Sequence, residues 1–270
     1  MAALAGIEKP VRADETAFFV MPEIPYGQRT VGVDLTLGRI DIFRFIGDAS
    51  LIGLEGAMSW GLSEQLALNG RLGIVRASDD NDDGTSLDNL TIGMTYRLLT
   101  DDRGAGTSAL AIDASLSLPT ASDSDNSGVA ALTWGVFYQP DVGRYLPDAT
   151  TLRVSGTYRL LTGRLMAQAE LGLQQLIVDD VDDLTLLRLG MGVGYLAAPR
   201  VALIAELTTV SDIIGDNFDN DEDFWHVLDL GARIGLGNGG TLGIRFYLPL
   251  DDALRDLDIV GLMLNYQAAL

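Results

Sequence analysis

Alternation of apolar and polar side chains, segment after segment, is the feature that most constrains what this chain can fold into. In LTIGMTYRLL, Leu90, Ile92, Met94, Tyr96 and Leu98 share one parity, and Thr91, Gly93, Thr95 and Arg97 share the other. A period of two is the signature of a strand with two unlike faces. SALAIDASLSL (108–118), TLRVSGTYRLL (151–161) and TLGIRFYLPL (241–250) repeat it. Two architectures accept such strands. A soluble sandwich turns the apolar face inward, whereas a membrane-spanning barrel turns it to lipid and encloses the polar one.

Thirteen segments qualify as strands, separated by clusters of Gly, Asp, Asn, Ser and Pro. They are Thr30–Leu37, Leu51–Gly61, Gln65–Arg76, Leu87–Leu99, Ser108–Leu118, Val129–Gln139, Thr151–Leu161, Leu165–Ile177, Leu184–Leu196, Val201–Val210, Phe224–Leu236, Thr241–Leu250 and Asp258–Tyr266. Most match the roughly 9–11 residues that a tilted strand needs to cross a bilayer. Long acidic connections, such as SDDNDDGTS (78–86) and IIGDNFDNDED (213–223), contrast with tight ones such as GLSEQ (61–65), AAPR (197–200) and GNGG (237–240). The tight turns fall on one phase before Gly128 and on the opposite phase after Thr162, so the parse holds one strand too many or too few, near residues 139–150.

Composition narrows the choice. The 18 Lys plus Arg against 38 Asp plus Glu give a net charge of −20, which repels nucleic acid. Without cysteine there is no disulfide framework, thiol catalysis or Cys-based metal site. No run reaches the roughly 18 apolar residues of a spanning helix. The first sixteen residues lack the basic n-region and long h-region of a signal peptide. Lys9 is the only lysine, so no strand carries the lysines that guard soluble sheet edges, and the polar parity is instead rich in Gly, Ser, Thr and Arg. Trp60, Tyr96, Tyr138, Tyr158, Tyr195, Phe224, Trp225 and Tyr266 tend to segment ends, where interfacial aromatic girdles lie.

On these residues the chain resembles bacterial outer-membrane β-barrel proteins of the porin and transporter-like type, over about Thr30 to Tyr266. The resemblance implies an all-β fold, a closed antiparallel up-and-down transmembrane barrel of about 12 strands in the outer membrane, with long loops outside the cell. Residues 29–270 would form the barrel and residues 1–28 a tail or plug. Its implied partners are the lipid bilayer, lipopolysaccharide and small ions or polar solutes, with weak divalent cation contacts at the acidic loops. No cofactor is expected.

With the apolar face outward, Arg71, Arg97, Arg153, Arg159, Arg188, Arg233 and Arg245 point into the lumen with Asp34, Glu55, Asp113, Glu170, Glu206 and Asp229. These nearly cancelling charges suit either a narrow passive channel for ions or small polar solutes or a structural or adhesive barrel with a closed, charge-paired lumen. Catalysis is not expected: the sole histidine, His226, shares the apolar parity with Phe224 and Leu228, while Asp229 lies on the other. DDNDDG (79–84) lacks the ligand alternation of a calcium loop. At GNGG, a three-residue loop of Asn238, Gly239 and Gly240 would set Arg233 opposite Arg245, with Asp229 and Glu206 completing a lumenal cluster.

Overall fold

Hydrocarbon supplies no hydrogen-bond partners, so a sheet that spans it must pair every edge, and this one does. The computed structural model describes residues 19, 29–41, 48–78, 83–101, 106–121, 125–178, 183–214, 224–236, 240–251 and 259–270. Twelve strands close into an antiparallel ring. In chain order they are β1 (Arg29–Asp41), β2 (Asp48–Gly61), β3 (Leu66–Ser78), β5 (Leu90–Asp101), β6 (Gly106–Leu118), β7 (Ala149–Thr162), β8 (Leu165–Val178), β9 (Leu184–Ala198), β10 (Val201–Ile214), β11 (Phe224–Gly235), β12 (Gly240–Pro249) and β13 (Val260–Ala269). β1 closes the ring by pairing with both β2 and β13. A short thirteenth strand, β4 (Asp83–Leu87), lies outside the ring and pairs with the Ile74–Ser78 end of β3, whose Leu66–Arg71 end pairs with β5.

One sequence expectation fails here. The segment Val129–Gln139 is not a strand: Asp125–Phe137 form a helix, α1, followed by a 3-10 turn over Gln139–Arg144. The segment is apolar on nearly every side because it is enclosed, and a short apolar run cannot be assigned to strand or helix by periodicity alone. Removing it from the strand count also resolves the phase conflict. The tight connections 61–66, 162–165, 198–201 and 235–240 now all lie at the end where β1 begins and β13 finishes. The connections 41–48, 78–90, 118–149, 178–184, 214–224 and 249–260 lie at the other.

The outer face is apolar all the way round. Val33, Leu54, Ile74, Ile92, Ile112, Leu152, Leu171, Met191, Leu203, Leu230, Phe246 and Leu264 represent the twelve ring strands, and each is exposed. A continuous apolar belt of that extent is a lipid-facing surface, and it places the barrel in a membrane. Trp60, Tyr96, Tyr158, Tyr195 and Tyr266 stand exposed near the short-turn end, with the Arg29 guanidinium 4.4 Å over the Trp60 ring. Two of the expected girdle aromatics are corrected: Tyr138 is buried in the lumen, and Trp225 packs inward against its apolar core. A bulge between Arg97 and Leu99 leaves both Leu98 and Leu99 on the lipid side.

The two faces predict opposite responses to one substitution. Leu152→Arg, on the belt, should destabilise the barrel by about 2–4 kcal/mol near the bilayer midplane. Ser59→Arg, which borders the lumenal cavity opposite Thr30 and Asn69, should be tolerated. Equilibrium unfolding in phospholipid vesicles measures both, and the reverse order would invert the face assignment.

Candidate functional site

Inside the ring, several long side chains stand opposite glycines. Arg188 pairs with Gly172, Glu170 with Gly190 and Glu206 with Gly192. A glycine opposite leaves a long side chain room to reach across a narrow lumen. The same rule corrects the GNGG register. Arg233 faces Gly243 and Arg245 faces Gly231, two residues away from the expected pairing, with residues 236–239 as the connection. Both arginines do share the lumenal face as parity requires, and the shift removes the like-charge opposition.

The inward charges named from the sequence lie on the lumenal face, and the loop between β6 and β7 contacts five of them, Glu55, Arg71, Arg153, Arg188 and Arg245. This loop folds into the barrel from the long-loop end. Its upper part is apolar: Trp134, Phe137, Tyr138 and Tyr145 form one core with Ile40, Leu51, Val75, Val227, Tyr247 and Met263 of the wall. Rings occupy the places where inward glycines lack side chains. A Cβ on Gly53 would lie 2.6 Å from Trp134, and one on Gly38 or Gly261 would lie 2.6 Å from Phe137. Phe137 and Tyr138 also stack on Tyr247, with centroids 5.2 and 5.4 Å away.

Two buried residues just before β5 tie this loop down. The Asn89 amide donates to the carbonyls of Gly143, Leu146 and Ala149 at 3.0, 2.9 and 3.3 Å, and its Oδ1 accepts from Thr120 and Ala121 at 2.9 and 2.8 Å. Asp88 accepts from Arg144 Nε at 2.8 Å and from the Gly73 backbone, and Arg144 also pairs with Glu55. Neither Asp88 nor Asn89 had a sequence signal beyond their polarity at a strand start.

The loop delivers one carboxylate, Asp141, into a cage of three wall arginines. Arg71 Nη2 is 3.2 Å from it, Arg153 Nη1 3.8 Å and Arg188 Nη1 3.9 Å. Arg153 also pairs with Glu170, which lies 3.6 Å from Arg188 Nε, and Arg188 donates to the Pro140 carbonyl at 2.8 Å. Burial alone would raise the Asp141 carboxyl, but Arg71, Arg188 and Arg153, with Arg144 behind them, hold it well below the usual carboxylate range.

The remaining inward groups are distributed around this cage. Asp113 accepts from the Thr95 and Thr157 hydroxyls, and buried Arg159 contacts Met166 Sδ at 3.4 Å. Arg97 faces the lumen opposite Ala111 near the short-turn end. The expected Arg233, Arg245, Asp229 and Glu206 neighbourhood is present in altered form. Arg245 lies 3.4 Å from Asp229 and donates to the Tyr138 hydroxyl at 2.8 Å, whereas Arg233 donates to Gln267 at 3.2 Å. Glu206 accepts from the Phe19 backbone N–H.

A cavity of about 280 Å³ of mixed polar and apolar lining opens on the short-turn side of the loop. A second, smaller space of about 70 Å³ is lined by Tyr138, Asp141 and Arg144 of the loop. Asp34, Glu55, Arg71, Arg233 and Asn265 line both spaces. Among the described residues no group of three or more His, Asp or Glu side chains could hold a metal ion. Most of the acidic stretch 79–84 lies outside the described residues. His226 sits on the outer face, its Nδ1 2.9 Å from the Thr209 hydroxyl and its ring stacked on Phe224.

No protein-family model matches the sequence, and no curated protein is significantly similar to it. Solved structures are similar in fold. The crystal structure of an outer membrane channel from Pseudomonas putida F1 aligns with a TM-score of 0.66 at 13% identity, covering 95% of this chain and 100% of that one. The NanC porin aligns with a TM-score of 0.56 at 10% identity, covering 88% and 100%. The translocator domain of the autotransporter NalP from Neisseria meningitidis gives 0.48 at 12% identity, over 90% and 87%. The chain thus has the fold of bacterial outer-membrane β-barrels.

The cage makes Asp141 the residue on which the seating of the loop most depends. Asp141→Asn should cost about 3–5 kcal/mol, because it leaves buried guanidiniums without their shared counter-charge. A carboxyl depressed in the folded state contributes stability that is present above its unfolded value, about 4, and is lost only as pH falls through the folded value. The loop should therefore remain seated at about pH 4 in the native protein. Emission from Trp134, isolated by replacing Trp60 and Trp225 with Phe, reads the seating: unchanged down to that pH in the native sequence, red-shifted at neutral pH in Asp141→Asn.

Proposed function

We propose that this barrel is a narrow channel for the passive passage of ions or small polar solutes, with the loop between β6 and β7 as its constriction. The cavity on the short-turn side of the loop, lined by Arg71 and Arg153 of the Asp141 cage, carries this reading. Paired charges let a small polar species exchange water for protein contacts, and the small inward residues beside the cavity leave room for it. Similarity in fold to proteins described as a channel and a porin supports the same conclusion. The bilayer is the standing partner, and the acidic loops would meet lipopolysaccharide through weakly held divalent cations.

A second reading has its own support. The aromatic core around Trp134 and Phe137 fills the long-loop half of the lumen, which suits a closed structural or adhesive barrel. Conductance separates the two. The purified barrel in a planar bilayer should give discrete openings with a mild cation preference, because acidic connections at the long-loop end concentrate cations and salt screens the effect. The preference should fade as salt is raised. Anion preference at low salt would assign entry control to the lumenal arginines, and a silent bilayer would favour the closed barrel.

A further inference from the structure

An apolar groove crosses the lipid-facing side of β2 and β3, in the half of the barrel nearer the tight turns. Gly56 and Gly70 are its floor, and Met58, Trp60, Leu68 and Leu72 stand around a space of about 440 Å³. All four of these side chains are exposed. The ladder creates the depression: Gly56 faces Leu72 and Gly70 faces Met58, so the two glycines are diagonal neighbours on adjacent strands. The protein's own packing does not call for them. A Cβ on Gly70 would meet nothing within 4 Å, and one on Gly56 only the Leu72 carbonyl at 3.9 Å, whereas inward Gly53 and Gly38 make room for Trp134 and Phe137. Neither has a positive φ. Glycine weakens a strand interior, and it marks places where another molecule approaches closely. A cation stands at the turn end of the groove. Arg29, the first residue of β1, pairs with Trp60, and its guanidinium lies 4.4 Å over the ring. It is exposed, and among the described residues no carboxylate pairs with it.

We infer that this groove is a binding site for one phospholipid, with an acyl chain lying over Gly56 and Gly70 and the phosphate held by Arg29 beside the Trp60 ring. The occupant follows from where the groove lies. It is continuous with the belt, whose solvent is hydrocarbon, so an acyl chain fills it rather than water or a polar solute. Contact with the walls is gained by dispersion, because lipid offers no hydrophobic drive of its own. Trp60 stands at headgroup level, as interfacial tryptophans do. From Trp60 to Gly56 the strand runs roughly 13 Å, which carries the groove from that level into the leaflet. A guanidinium forms charge-assisted, two-pronged bonds with phosphate oxygens, and its unneutralised charge favours an anionic headgroup. Short turns of such barrels face the periplasm, so the lipid belongs to that leaflet. This site rests on the lipid-facing belt and is independent of whether the lumen conducts.

Photolabelling and native mass spectrometry of the full chain test the site. In phosphatidylcholine vesicles containing phosphatidylglycerol with a diazirine on its acyl chain, irradiation should label peptides of β2 and β3 above the rest of the belt. Gly56→Leu with Gly70→Leu fills the groove level with the belt and should remove that excess. Should the double variant fail to fold, Gly70→Leu alone carries the comparison, since its added side chain enters open space. In native mass spectra Arg29→Gln should lower retention of phosphatidylglycerol by about fivefold and leave phosphatidylcholine unchanged. Labelling spread evenly around the belt, or unchanged when the groove is filled, overturns the site. Equal loss of both lipids in Arg29→Gln overturns the headgroup contact. A native barrel that is a dimer and becomes a monomer when the groove is filled assigns the groove to a second copy of the chain and overturns the lipid.

Discussion

A strand in hydrocarbon must find all its hydrogen bonds on neighbouring strands, and every other property of this barrel follows from that demand. Twelve strands pair edge to edge until β1 meets β13, leaving no open edge within the ring. Closure in lipid inverts the usual placement of residues. Leucines and valines that would form a soluble core stand on the outside, and arginines and carboxylates that would be wet stand within. Once enclosed, those charges require partners, since an unpaired ion in a low-dielectric interior is strongly unfavourable. The lumen is accordingly a set of ion pairs arranged around glycines.

The loop between β6 and β7 completes this interior with both kinds of chemistry. Its aromatic side chains replace side chains that the inward glycines of β1, β2 and β13 do not have, so the long-loop half of the barrel acquires an apolar core. Its tip contributes Asp141 to Arg71, Arg153 and Arg188 and takes Glu55 and Asp88 for its own Arg144. Neither half would hold the loop alone. Rings without the ion pairs would slide over a smooth glycine surface, and ion pairs without the rings would be open to water and screened. Together they divide the barrel into a packed half and a half that holds a cavity, with Asp141 at the junction between them.

Much of this was legible from parity. The strand segments, the lipid-facing side and the inward orientation of residues such as Arg97, Asp113 and Glu206 follow from a period of two, since a single slip in register would reverse every face. What parity could not supply was the partner. Arg153 and Glu170 lie on adjacent strands, but Asp141 reaches them from a loop whose apolar sequence reads equally well as strand or helix. Tyr138 reads as an interfacial aromatic from its spacing, and only the fold of the loop carries it inward. At GNGG the shared face of Arg233 and Arg245 was correct and their opposition was not, because the choice between two registers of equal parity rests on volume and charge across the ladder.

The sequence by itself determined that this chain spans a membrane as a closed sheet with a charged interior. Alternation, the scarcity of lysine and the absence of a spanning helix are local properties, and lipid permits them only one arrangement. Tertiary structure alone decided how the interior is occupied: that residues 125–144 turn inward, that Asp141 is shared by three arginines, and that Phe19 rests between Arg233 and Arg245. These contacts join residues far apart in the chain whose proximity exists only after the ring has closed, and no local pattern encodes which of many inward side chains will meet across the lumen.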